Sequence, residues 1–128
     1  MTSVSPSFDA RGLADILDAC SPEQLDALGF GVIGFDADTI VRRYNAVESR
    51  TAGLSPQRVI GEPLFTNVAP CLNNFMVAQR FEDAADEGSE LDDTIDYVLT
   101  LRMRPIKVKL RLLASPGNAH RYVLVQPR

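Results

Sequence analysis

The chain predicts an α+β domain with one antiparallel sheet flanked by helices. Three observations carry that expectation. The elements run helices, two strands, helices, three strands, the segregated order of an α+β fold. Ile95, Tyr97, Leu99 and Leu101 alternate with Asp96, Val98, Thr100 and Arg102, and Ile106, Val108, Leu110 and Leu112 alternate with Lys107, Lys109 and Arg111. That period of two, with one charged face, predicts a half-solvated antiparallel pair. Phe75, Val77, Ala78, Phe81 and Ala85 recur at helical spacing and Gly88 follows, which predicts a helix over 75–85.

The remaining elements follow in order. Residues 1–8 are rich in Ser and Pro and predict a loose tip. Leu13, Ile16 and Leu17 predict a short amphipathic helix beginning near Asp9. Ser21-Pro22-Glu23-Gln24 reads as a helix start, with Ser as N-cap, Pro in the first position and Gln completing a capping box. Residues 30–35 and 40–43 form a predicted hairpin turning at Asp36-Ala37-Asp38. Ser55-Pro56 opens a short helix that Gly61 stops, and Ser115-Pro116-Gly117-Asn118 turns the chain into a last strand over 122–125.

A length of 128 residues suits one domain, and 45 % apolar with 23 % charged residues is ordinary for a globular chain. The net charge of −4 comes without a basic stripe, so no nucleic-acid partner is expected. No apolar run is long enough for a membrane span, and residues 1–10 lack the regions of a signal peptide, so a cytoplasmic location is expected. Two cysteines make no disulfide framework. One His, two distant cysteines and scattered carboxylates make no metal set, and His120 reads as a surface residue at a turn rather than a base for a thiol enzyme. An enzyme is not expected; a monomer or weak dimer is.

The chemistry-bearing stretch is 44–71, where Gly53, Pro56, Gly61 and Pro63 supply enough turns to fold it back on itself. The phenol of Tyr44 and the carboxyl of Glu48 are four apart and on one helical turn would share a face. Cys71 ends the stretch. By composition alone Cys71 reads as a small buried hydrophobe, Glu48 as a solvated helix acid and Tyr44 as a strand-end aromatic with its hydroxyl in solvent. Cys20, in the N-terminal helix pattern, reads as structural.

Gln24-Leu25-Asp26, Gly29-Phe30-Gly31, Tyr44-Asn45-Ala46, Glu48, Val59-Ile60-Gly61, Val68-Ala69-Pro70-Cys71, Met103, Pro105 and Lys107-Val108-Lys109 together resemble the photoactive yellow protein family of blue-light receptors. The resemblance spans nearly the whole chain. It implies a PAS fold over 1–128, with a central five-stranded antiparallel sheet, an N-terminal helical cap at 1–28 and a core at 29–128. It implies p-coumaric acid (4-hydroxycinnamic acid) held as a thioester on Cys71, with Tyr44 and a neutral Glu48 as donors to its phenolic oxygen. Ala52, Leu64, Phe65, Ala69, Pro70 and Met103 fall at the other chromophore-contacting positions. Light isomerises the double bond in this family, the acid yields its proton, and the cap loosens as the signal; Met103 is implied to assist the return.

The chain departs from the family pattern at several points. Ala52 stands where a threonine usually bonds the tyrosine, Leu54 where an arginine covers the pocket, and Leu64, Leu99 and Leu101 where aromatics often sit. Arg50 or Arg102 could replace the arginine or be plain surface charges. The same chemistry with altered colour and kinetics is expected. A second reading keeps the fold as an interaction or non-covalent ligand module without photochemistry. A free receptor and a module of a larger sensor, such as hybrids with phytochrome and kinase parts, both stay open, as does the identity of the downstream partner.

Overall fold

The structure, a computed structural model, describes residues 6–101 and 104–127, without the side chains of 101 and 104. The order is α1 (Leu13–Ala19), α2 (Pro22–Asp26), β1 (Gly31–Phe35), β2 (Val41–Tyr44), α3 (Ala46–Ala52), α4 (Pro56–Val59), a π-type turn at Leu64–Val68, a 3-10 turn at Pro70–Leu72, α5 (Ala78–Glu87), β3 (Leu91–Leu101), β4 (Arg104–Ala114) and β5 (Arg121–Pro127). The five strands form one sheet in the order β2-β1-β5-β4-β3, every neighbouring pair antiparallel. The expected α+β architecture, five antiparallel strands flanked by helices, is present.

Apolar side chains fill both faces of that sheet. On one face Ile33, Phe35, Val108, Leu110, Leu112 and Val123 pack with Val59, Leu64, Leu72 and Phe81 from the connecting helices and turns. On the other, Val32, Leu113, Tyr122 and Leu124 meet Phe8, Leu13, Leu17, Leu25 and Leu28. The half-solvated reading of β3 and β4 therefore holds only for the outer part. Lys107 and Lys109 are exposed as expected, whereas residues 110–114 are buried on both faces because the N-terminal segment lies across them.

Two expectations about that segment change for the same reason. Phe8 is buried and sets its ring edge-on to Phe30 at 5.7 Å, so the looseness expected over residues 1–8 does not reach it; residues 1–5 lie outside the described residues. Arg111, placed on the wet face by its alternation, is 6 % exposed. Its guanidinium forks onto Asp92 at 2.8 and 2.9 Å and donates to the Phe8 and Ala10 carbonyls at 2.9 and 2.8 Å. Arginine presents enough donors in one plane to satisfy all four acceptors at once. Arg43 does the same for α1, donating to the Leu17 carbonyl at 2.5 Å and to the Cys20 carbonyl. It reaches them by crossing Gly34, where an added Cβ would come within 3.0 Å of Arg43 and 2.9 Å of Tyr122.

The capping box at Ser21 is present in full. The helix expected over 75–85 instead begins at Ala78, and Phe75 is 80 % exposed. Asn74 causes the delay: its Oδ1 accepts from the Met76 and Val77 N–H groups at 3.0 and 3.2 Å and turns the chain before α5 can start. Gly88, left-handed at φ 64°, closes α5 as expected.

The hairpin turn contains a strained residue. Thr39 sits at φ 62°, held by its N–H on the Asp36 carbonyl at 3.0 Å and by Leu64 N–H on its own carbonyl at 2.9 Å. A branched side chain disfavours that left-handed region. Thr39→Gly is expected to raise the unfolding free energy by about 1 kcal/mol, the left-handed penalty less the extra chain entropy glycine loses. Urea unfolding checks it, and any loss of stability would contradict the strain.

Candidate functional site

The candidate site lies where β2 ends and α3 begins, with the Pro70–Leu72 turn held to β3 through Tyr97. Tyr44 is the last residue of β2 and Glu48 lies in the first turn of α3, so they meet across a strand end rather than along one helical face. Between them Asn45 is the N-cap, only 1 % exposed. Its Oδ1 accepts from Glu48 N–H at 3.0 Å and Val32 N–H at 2.9 Å; its Nδ2 donates to the Leu25 and Phe30 carbonyls at 2.9 and 3.0 Å.

Asn45-Ala46-Val47-Glu48 has capping-box spacing, in which the acid would bond back to the cap's own N–H. Here that N–H is already donated to the Val32 carbonyl at 3.2 Å. The Glu48 carboxyl is left to turn inward over Gly31, where any Cβ would collide with its Oε1. Glu48 is 4 % exposed, and Oε1 has no hydrogen-bond partner among the described residues. Burial pushes its pKa up to about 7, so the acid keeps its proton to near neutrality. Burial also raises the Tyr44 hydroxyl, with the Glu48 charge adding to it.

Cys71 lies in the Pro70–Leu72 turn, half-buried against the same core as Tyr44, Leu64, Ala69 and Leu99. Burial pushes its thiol up, the Thr100 backbone N–H beside it pulls the other way, and Glu48 adds a further rise. Glu48 acts on both the phenol and the thiol, so the three groups share one electrostatic environment. A buried polar atom without a partner calls for one. The donor set fits a group that presents an anionic or acceptor oxygen to Glu48 and Tyr44 and an acyl carbon to Cys71.

A family model described as PAS fold matches residues 25–125. The photoactive yellow protein of Halochromatium salexigens is 34 % identical over 105 residues, 82 % of this chain and 83 % of that protein. That of Rhodothalassium salexigens is 37 % identical over 102 residues, 80 % of this chain and 78 % of that protein. The chain belongs to the photoactive yellow protein family. Its structure also superposes on the photoactive yellow protein domain from a sensor histidine kinase of Rhodospirillum centenum, with a TM-score of 0.81 and 34 % identity over 88 % of this chain and 98 % of that one.

The remaining residues anticipated for a photoactive yellow protein pocket divide. Leu64, Ala69 and Leu99 are buried with Tyr44, and Ala52 is buried on α3. Ala52 offers Tyr44 no hydroxyl, and the neighbouring Thr51 hydroxyl is spent on the Val47 carbonyl at 3.1 Å. Pro70 is exposed. Phe65 joins Phe35 and Phe81 in an aromatic trio lining a cavity of about 270 Å3 whose walls include none of Tyr44, Glu48 or Cys71. Leu54 packs against the core and Arg50 is exposed. Met103 and Arg102 lie outside the described residues.

His120 is less exposed than its turn suggested: its Nδ1 is 3.3 Å from Asp18, which also accepts from Tyr122 at 2.6 Å and Asn118 at 2.8 Å. Cys20 packs against the N-terminal core. Among the described residues no group of His, Cys, Asp and Glu could hold a metal, and no helix is long and apolar enough to cross a membrane. Sequence reasoning missed the roles of Asn45, Asn74 and Tyr97. The spacing of Asn45 to Glu48 was a usable signal for the first; the other two act through contacts that no local pattern announces.

Proposed function

We propose that the chain is a blue-light photoreceptor carrying p-coumaric acid as a thioester on Cys71, with Glu48 and Tyr44 donating to the phenolic oxygen. The observation that carries this is the buried, unpartnered Glu48 Oε1 in an environment shared with Tyr44 and Cys71. The bound chromophore supplies visible absorption and a trans–cis isomerisation. Leu64, Ala69 and Leu99 exclude water from the site, and Cys71 anchors it. Ala52, Phe65, Pro70 and Met103 are assigned as further contacts on the resemblance, Met103 assisting the thermal return.

Glu48 holds a proton at its carboxyl near neutral pH and is placed to release it. A carboxylate left behind would be buried without a partner, at a cost of several kcal/mol. The start of α3 is joined by Asn45 to Leu25 and Phe30. Ionisation of Glu48 thus loads the joint between the cap, residues 1–28, and the core, residues 29–128, and loosening of the cap is the signal. A downstream signalling domain or protein receives it, a reading supported by the relative that is a domain of a sensor histidine kinase. A cytoplasmic location and a monomer or weak dimer accord with this role.

The test is an absorbance spectrum and intact mass after adding activated p-coumaric acid to the apoprotein. One adduct and a visible band that bleaches in blue light and recovers in the dark are expected. Cys71→Ser is expected to stay colourless with unchanged mass, and a yellow, covalently loaded serine variant would sink the reading. An adduct confined to the near ultraviolet would refute the donor roles of Glu48 and Tyr44. No adduct with the parent protein would favour a non-covalent PAS ligand or interaction module.

A further inference from the structure

Cys71 is gripped on its backbone as well as placed by its fold. Its carbonyl accepts from the Tyr97 hydroxyl at 2.5 Å and from Asn74 Nδ2 at 3.3 Å. The same Asn74 amide donates to the Tyr97 hydroxyl oxygen at 2.6 Å, closing a three-membered network around one carbonyl. Asn74 Oδ1 meanwhile holds the Met76 and Val77 N–H groups at the entry to α5. Tyr97 stands on β3 opposite Val108 of β4, so its ring is fixed by the sheet. Three residues further along β3, the Thr100 N–H lowers the thiol's pKa against the rise that burial imposes. The edge strand therefore touches the cysteine at its carbonyl.

A 3-10 turn of three residues has little stiffness of its own. Without an external hold, the Cys71 peptide can rotate and carry the thiol out of the core toward solvent. We propose that Tyr97 and Asn74 are positioning residues for the Cys71 anchor: by fixing its carbonyl they hold the sulfur against the core that contains Tyr44, Leu64, Ala69 and Leu99, and so set how the thiol is acylated and where the adduct rests. The inference deepens the photoreceptor reading and rests on it for the adduct, though the grip on the thiol is a property of the apoprotein. In acylation by an activated p-coumaroyl ester or anhydride, the thiolate forms the S–C bond, the activating group leaves with the electron pair of the bond it breaks, and the thiol proton passes to buffer.

Cys20→Ser supplies a parent with Cys71 as its single thiol. Tyr97→Phe keeps the ring and removes the hydroxyl; Asn74→Asp keeps an oxygen to cap α5 and removes the amide. Both are measured as folded apoprotein for the rate of Cys71 alkylation by iodoacetamide, then loaded with activated p-coumarate for the position of the absorption band. Each is expected to raise alkylation about fivefold, the effect of one lost hydrogen bond on the population of the turned-out thiol, and to move the band of the loaded protein. A merely structural role would lower the unfolding midpoint and leave both readouts in place.

Alkylation within twofold of the parent in both variants, or an unmoved band in both loaded proteins, would overturn the proposal. If the parent takes no p-coumarate yet alkylation rises in the variants, the photoreceptor reading fails and the grip on the thiol stands. If the parent loads and cycles while both variants match it, the positioning role fails and the photoreceptor reading stands.

Discussion

Asn45→Ala is expected to lower the unfolding free energy by about 4 kcal/mol, combining a lost N-cap with main-chain groups left unpaired in the interior. Alanine at 45 strands the Val32 and Glu48 N–H groups and the Phe30 carbonyl and leaves the Leu25 carbonyl with backbone donors alone, all four now served by a side chain 1 % exposed. A domain of this size has about 5–15 kcal/mol in hand, so the loss takes a large share of it. Far-UV circular dichroism against urea measures it. Because two of the four partners lie on the approach from α2 to β1, amide exchange is expected to rise across α2 as well as α3. A loss below about 1 kcal/mol would mean that water replaces the asparagine without penalty, contrary to the burial.

Glu48→Gln in the apoprotein is expected to change the pH dependence of stability more than its value in acid. The folded pKa of about 7 lies above the ordinary 4.5. Below the unfolded value both states hold the proton and Glu48 adds no penalty. Between the two values the unfolded chain ionises first, so stability falls as pH rises, and the loss is complete once pH has passed the folded pKa. The full effect is about 3 kcal/mol on the scale of 1.36 kcal/mol per pKa unit. The variant should match the parent near pH 4 and exceed it by up to that amount at pH 8 to 9. Titrating groups on which the Glu48 charge does not act cancel in the difference. A gap that is flat from pH 4 to 9 would show that Glu48 ionises as freely in the fold as out of it.

The fold was readable because its strands and caps are local statements. The alternation in β3 and β4 and the capping box at Ser21 each needed only a few neighbouring residues, and the structure carries both. What escaped depends on distant partners. Phe75 fits the periodicity of α5 yet lies outside it, because the Asn74 side chain holds the backbone before the helix starts. Arg111 alternates like a surface lysine but meets chain from a hundred residues earlier at Phe8 and Ala10. In the candidate site, Tyr44, Glu48 and Cys71 were singled out through family likeness. Why Glu48 points inward was not, since it turns on Val32 having claimed the Asn45 N–H and on Gly31 leaving room.

The arginine contacts to the N-terminal segment carry an evolutionary corollary. Arg43 and Arg111 reach that segment through the carbonyls of Phe8, Ala10, Leu17 and Cys20, and every residue type supplies a carbonyl. Such a grip is indifferent to which side chains the segment bears at those four positions. The exposed residues between them, such as Arg11 and Ala19, are free to drift, acquiring or losing affinity for a partner, while the latch itself stays intact. Recognition can be rewritten on the cap without redesigning how the cap is held.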